Sequence, residues 1–259
     1  MPFERKSFRK NPAKDENLIY GIHSITESIQ AGKDINKILI QQGNKSELFS
    51  DIIKICKERS IPFSFVPREK FSFLTNKNHQ GICAFVSPIS YHSIENILPQ
   101  LFEEGKVPFI LILDRITDVR NFGAIARTAF CAGVHALVVP ATDNAPVNDD
   151  AVKTSAGALM HIPVCREKNL KSTLEFLNQS GLKTIACSEK SKNNLHEIDL
   201  TTPLAIVMGN EETGISNDII RKCNDLVKIP LSFGVQSLNV SVAAGIAMYE
   251  VVRQRVIEI

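Results

Sequence analysis

Two rhythms of apolar and polar residues alternate along this chain of 259 residues. Short apolar runs stop at Gly, Pro or Asp, and between them lie stretches whose apolar residues recur every three or four positions. The first pattern predicts strands and the second helices. Near the N-terminus, KILIQ from Lys37, FSFVP from Phe63 and GICAFVSP from Gly81 read as strands. ITESIQAG from Ile25 and ELFSDIIKICKERS from Glu47 read as helices, the second with Leu48, Ile52, Ile55 and Cys56 on one face. Further on, VPFILILD, ALVVP, KTIACS, LAIVMG and LVKIP are strand-like. They alternate with helix-like GAIARTAFCAG, DDAVKTSAGAL, LKSTLEFLNQSG and DIIRKC, and a last helix starts near Asn239. That last helix puts Val240, Ala243, Ala244, Ala247 and Met248 on one face, and small residues there let another backbone approach closely. Strands alternating with helices imply an α/β protein with a doubly wound parallel sheet.

The same pattern divides the chain. Residues 1–17 are polar and read as a flexible basic tail, and residues 18–88 form a small α/β domain. Residues 89–106 read as a linker whose short helix, SIENILPQLFEEG, is capped by Ser93 and weakened by Pro99. Residues 107–259 form the larger parallel-sheet domain.

Charge changes this picture only through its distribution. The net charge is +2, but residues 1–88 hold 14 Lys and Arg against 9 Asp and Glu, a net of +5. An excess over the N-terminal part of the chain points to a polyanionic partner. No apolar run approaches the roughly 20 residues that span a bilayer, and the polar N-terminus has no apolar signal core. The six cysteines, at 56, 83, 131, 165, 187 and 223, include no CxxC pair. Four of them, Cys83, Cys131, Cys165 and Cys187, stand in apolar contexts, as reduced core cysteines of a cytoplasmic protein do.

Three polar turns follow apolar strands: DRITDVRNFGAIAR from Asp114, GNEETGIS from Gly209, and the turn at Gln236, Ser237 and Asn239. In an open parallel sheet such turns converge on one site beyond the strand ends. Several chemistries are excluded. Gly209 and Gly214 have the spacing of a P-loop, yet Ile215 replaces its lysine, and Glu211 and Glu212 would repel phosphate. GxGxxG and GxSxG are absent. The six histidines form no HxxxH or HxH pair, so no metal site is expected. What remains is a set of Asn, Arg, Ser, Glu and backbone amides, suited to orienting a substrate toward a reactive group carried by a cofactor.

At these turns the chain resembles the SpoU (TrmH) family of RNA 2′-O-ribose methyltransferases, of the SPOUT superfamily. NFGAIAR, from Asn121 to Arg127, resembles its NxGxxxR signature. VMGNEETGIS, with the later Ile229–Pro230, resembles its second motif, and SLNVSVAAGIAMYE its third. Order and spacing match over nearly all of residues 107–259. GIHSITESI and HQGICA resemble the substrate-binding domain of the 23S rRNA guanosine 2′-O-methyltransferase branch. Glu212 departs from the pattern, which has Gly there.

The resemblance implies a SPOUT-type parallel sheet with a C-terminal trefoil knot, preceded by a small α/β RNA-binding domain. It implies S-adenosyl-L-methionine as cofactor, held by the backbone at Gly209, Ile229 and Leu238. It implies RNA as substrate, 23S rRNA above all, and a cytoplasmic homodimer with its active site at the interface and no membrane partner. Asn121, Arg127, Glu211, Ser237 and Asn239 are the implied catalytic residues. A tRNA 2′-O-methyltransferase and a non-catalytic RNA-binding member of the same fold stand as alternatives. The N-terminal extension favours rRNA over tRNA.

Overall fold

The computed structural model describes residues 17–43, 47–75, 77–232 and 237–256. The expected basic tail lies almost wholly outside them. The chain divides into two compact units between Ser87 and Pro88.

The N-terminal unit runs β1 (Leu18–Tyr20), α1 (Ile22–Gln30), β2 (Ile35–Gln41), α2 (Glu47–Arg59), β3 (Phe63–Val66), α3 (Arg68–Leu74) and β4 (Ile82–Val86). Its four strands lie in the order β1-β4-β2-β3, with β4 antiparallel to both neighbours and β3 parallel to β2. Ile25 and Ile29 of α1 and Ile52 and Cys56 of α2 cover Ile38, Ile40 and Ala84 on one face. Phe71 of α3 covers Leu39 and Cys83 on the other. The sequence segments GIHSITESI and HQGICA meet here. Gln80, in the left-handed region at φ +51°, accepts the N–H of Ile22 at 3.1 Å, so it caps α1 from across the fold. Gly21 at φ +84° makes the turn into that helix.

The second unit runs β5 (Tyr91–His92), α4 (Ile94–Glu103), β6 (Phe109–Asp114), α5 (Val119–Cys131), β7 (Ala136–Pro140), α6 (Asp149–Thr154), β8 (Val164–Glu167), α7 (Leu170–Gln179), β9 (Lys183–Cys187), β10 (Leu204–Gly209), α8 (Asn217–Ile220), β11 (Asp225–Val227) and α9 (Val240–Val256). Its seven strands lie in the order β11-β9-β10-β6-β7-β8-β5, and every pair is parallel. The central strands are apolar on both faces because helices cover both. Phe109, Leu111 and Leu113 face the layer of α5, α6 and α9. Ile110 and Ile112 face the layer of α4, α7 and α8.

Three sequence expectations change. Residues 89–106 are not a linker: β5 is the edge strand of the large sheet, with Tyr91 opposite Val164, and α4 buries Ile94, Leu98 and Leu101 in its core. Ser93 caps α4 as expected, accepting the N–H of Glu95 at 3.3 Å. Pro99 sits inside the helix on its exposed side. Its cost of about 3 kcal/mol is outweighed by three burials of about 1.5–3 kcal/mol each. The segment DDAVKTSAGAL is not one helix, because α6 ends before Ala156 and Gly157, both at positive φ. Cys131 is exposed rather than in the core, unlike buried Cys56, Cys83 and Cys165. No helix among the described residues is long and apolar enough to cross a membrane.

Candidate active site

The strand order fixes where a ligand can enter. From β6 the chain lays β7 and β8 outward on one side, then crosses back to place β9, β10 and β11 on the other. The order therefore reverses beside β6, and ligand crevices in open α/β sheets form beyond the carboxyl ends at such a reversal. Asp114 and Gly209 close β6 and β10 side by side in register.

A cavity of about 320 Å³ opens at this point. Its walls are Ser188–Lys190 after β9, Gly209–Ile215 after β10, Ile229 and Leu231 after β11, and Ser237, Leu238, Val240 and Ala243 where α9 begins. All three residues expected to hold a cofactor, Gly209, Ile229 and Leu238, line it, as do Glu211 and Ser237. Gln236, expected at the third turn, lies outside the described residues. One wall is apolar, from Ile229, Leu238, Val240 and Ala243. The opposite wall is a polar loop.

That loop folds tightly back on its strand. The N–H of Gly214 reaches the carbonyl of Asn210 at 2.8 Å. The Asn210 side chain accepts the N–H groups of Glu212 and Thr213 at 2.9 and 3.2 Å. A Cβ on Gly209 would stand 2.2 Å from the nitrogen of Ile215, so only glycine permits the fold-back. Within the loop the positive φ falls on Gly214, at +65°, and not on Glu212. The departure at Glu212 is thus accommodated without backbone strain. Cys187, in the cavity wall, is pushed up to about 11 by burial and then by Glu189, so its thiol is neutral near pH 7 and a poor nucleophile.

Three of the five expected catalytic residues form one hydrogen-bonded chain. Asn121 stands in the first turn of α5, where Asp118 caps the helix by accepting the Asn121 N–H at 2.8 Å. The Asn121 side-chain amide donates to the carboxylate of Glu211. Its carbonyl accepts from the Asn239 amide at 3.1 Å. The Asn239 carbonyl in turn accepts the hydroxyl of Ser241 at 2.5 Å and its N–H at 2.9 Å. Donors therefore all point one way, from Ser241 to Asn239 to Asn121, and end on Glu211 at the cavity wall. Gly123 of the same motif has a packing role, since a Cβ there would meet Thr154 and Ala151 of α6 at 2.7–2.9 Å.

Arg127 is not part of this chain. It lies six residues after Asn121, about 120° around the helix axis, on the exposed stripe with Arg120 and Cys131. It forms no hydrogen bond or ion pair among the described residues. Ser237 lines the cavity without joining the chain of donors.

Sequence reasoning missed four residues. Ser241 terminates the donor chain, and Asp114, Arg115 and Asn210 brace the loop. The available signal was position: Asp114 and Asn210 sit at the ends of adjacent strands. No cluster of His, Cys, Asp or Glu suited to a metal occurs among the described residues.

Residues 108–249 match the SpoU rRNA Methylase family, and residues 18–92 match a domain described as RNA 2′-O ribose methyltransferase substrate binding. The second match runs into β5, past the structural boundary at Ser87. The chain is 36% identical over 241 residues to a putative TrmH family tRNA/rRNA methyltransferase of Staphylococcus aureus, covering 93% of this chain and 97% of that one. Among solved structures it is similar to the SpoU methyltransferase AviRb of Streptomyces viridochromogenes in complex with AdoMet. That match has 23% identity and a TM-score of 0.59, over 92% of this chain and 90% of that one. It is also similar to a TrmH/SpoU tRNA modifying enzyme of A. aeolicus, with 30% identity and a TM-score of 0.54, over 63% of this chain and 85% of that one.

Proposed function

The chain belongs to the SpoU rRNA Methylase family, and on that premise we propose that it is an S-adenosylmethionine-dependent 2′-O-ribose methyltransferase acting on RNA, with a guanosine of 23S rRNA as substrate. The observation that carries the reading is the donor chain from Ser241 to Glu211 at the wall of the cavity. It supplies a fixed carboxylate beside a ligand-sized space. The cavity fits the cofactor: its apolar wall suits an adenine ring, its polar loop suits ribose and amino-acid groups, and its volume lies in the range of ligand pockets. S-adenosylmethionine, when bound, supplies an electrophilic methyl group on a sulfonium. The Glu211 carboxylate, fixed by Asn121, accepts a hydrogen bond from a ribose hydroxyl, orients it, and takes up the proton that leaves as the oxygen gains the methyl. Positioning of that kind contributes up to about 7–11 kcal/mol in favourable systems.

Arg127 is a phosphate clamp in this reading and not a base, because guanidinium stays protonated in proteins. Its place on the outer side of α5 fits a homodimer, in which Arg127 of one copy faces the site of the other. The exposed apolar stripe of α9, at Val242, Ile246, Tyr249 and Val256, supports this assembly. The return of α9 from edge strand β11 to pack on α5 and β10 supports a trefoil knot. The match of residues 18–92 and the basic excess of residues 1–88 support RNA recognition by the first unit.

Purified full-length protein is expected to bind S-adenosylhomocysteine in calorimetry and to lose that binding in Leu238→Asp. With labelled methyl donor and total RNA, ribose-methylation mapping should locate the product in 23S rRNA. Folded wild type that binds neither cofactor form overturns the reading, and a product confined to tRNA replaces the substrate.

A further inference from the structure

Arg115 holds a backbone conformation that its residue type seldom adopts. Its φ is +61°, a region where glycine is the usual occupant. Its side chain is tied at both ends of its reach. Nε donates to Oδ1 of Asp114 at 3.0 Å and Nη2 to Oδ2 at 3.2 Å, a two-pronged pair on a carboxylate whose side chain is only 6% exposed. The same Nη2 reaches the carbonyl of Gly214 at 3.2 Å. Two further bonds run between the same segments. The Asn210 side-chain amide donates to the carbonyl of Arg115 at 3.0 Å, and the N–H of Ser216 donates to Oδ2 of Asp114 at 2.9 Å.

These bonds hold a particular piece of chain. Strands β6 and β10 are already joined by six residues of parallel register and do not need them. What they fix is the loop between Gly209 and Ser216, clasped at its start through Asn210 and at its end through Gly214 and Ser216. The middle of that loop, including Glu211, is the polar wall of the cavity. The planar guanidinium forks the carboxylate and still has a donor for Gly214, which a lysine ammonium cannot reproduce.

We propose that Arg115 is a positioning residue for the cofactor loop: it sets the conformation of residues 210–215 before the methyl donor arrives, and thereby sets the donor's affinity. The proposal rests on the reading of the cavity as the S-adenosylmethionine site. Removing arginine alone would strand a buried carboxylate, so the informative variant is Asp114→Asn with Arg115→Gly. Asparagine still accepts from Ser216, and glycine suits the positive φ. Melting temperature should stay within about 4 °C of wild type. Amide exchange of residues 210–216 in ligand-free protein should accelerate by about tenfold or more, with the strands unchanged. Affinity for S-adenosylhomocysteine should fall by about tenfold, while the single-turnover rate at saturating donor falls by less, because bound donor reorders the loop that carries Glu211, so the loss lies mainly in KM. Arg115→Lys, which keeps the charge beside Asp114, should loosen the loop similarly. Unchanged loop exchange, or unchanged affinity in a loosened loop, overturns the proposal, as does faster exchange spread through the whole sheet. Wild type that binds no S-adenosylhomocysteine overturns the cofactor reading instead, and loop exchange in the free protein still decides whether Arg115 is the clasp.

Discussion

At the residue scale the amide of Asn121 is used at both ends, giving its N–H to Glu211 and taking one from Asn239. Replacing it with aspartate keeps the size, removes the donor and sets one carboxylate against another. Asn121→Asp is therefore expected to lower the single-turnover methylation rate by at least about 100-fold, about 2.7 kcal/mol, with S-adenosylhomocysteine affinity within a few-fold of wild type. Arg127→Ala should show the same split, since neither residue lines the cavity. Quench-flow rates together with calorimetry check both, and a large loss of affinity in either variant would place that residue in the cofactor pocket instead. The family pattern made Asn121, Glu211 and Asn239 legible, but not the bonds between them. Their sequence separations are 90 and 118 residues, and such pairings leave no local mark. The same distance hid Arg115 from Gly214, although one feature of that site is local: a turn directly after a strand end.

At the element scale, periodicity located most helices and strands, because apolar runs and three-four spacing are properties of neighbouring residues. It failed where tertiary packing decided the outcome. A short helix interrupted by Pro99 made residues 89–106 look like a linker, yet Leu98 and Leu101 hold α4 in place against Ile110 and Ile112. Helix α9 shows the converse. Its buried face, with Ala244, Ala247 and Met248, was readable as one side of a helix. Its other face carries Val242, Ile246, Tyr249 and Val256 in the open, and a helix apolar on both sides has two partners. In the proposed dimer the second partner is another copy, related by a two-fold axis. Ile246→Glu is expected to give a monomer in sedimentation. If Arg127 serves the opposite copy, mixing inactive Arg127→Ala and Asn121→Asp chains should restore activity. Roughly a quarter of sites would be intact, since half the dimers are mixed and half the sites in each are whole. A mixture as inactive as its components means that Arg127 acts within its own chain.

At the scale of the whole molecule, the boundary at Ser87 and Pro88 separates two kinds of work. Both cavity walls and the donor chain come from residues after 88, whereas the positive excess lies before 89. Where the second unit starts decides whether it folds alone. A fragment of residues 107–259 lacks edge strand β5 and helix α4. It therefore uncovers the outer side of β8 and part of the apolar face around Ile110, Ile112 and Val138. Such a fragment is expected to aggregate, because an unpaired strand edge beside exposed apolar surface recruits other chains. A fragment of residues 88–259 keeps the seven strands and both helix layers. It should be soluble, melt cooperatively and bind S-adenosylhomocysteine within a few-fold of the full chain. Its methylation of rRNA should be reduced far more than its affinity for the cofactor, and the salt dependence of RNA binding should flatten as the basic contacts of the first unit are lost. Filter binding over a range of salt, with methylation assayed in parallel, separates these effects. A shortened chain that methylates rRNA at the full-length rate, with an unchanged salt slope, would mean that the second unit recognises RNA unaided and that the basic excess of the first has another use.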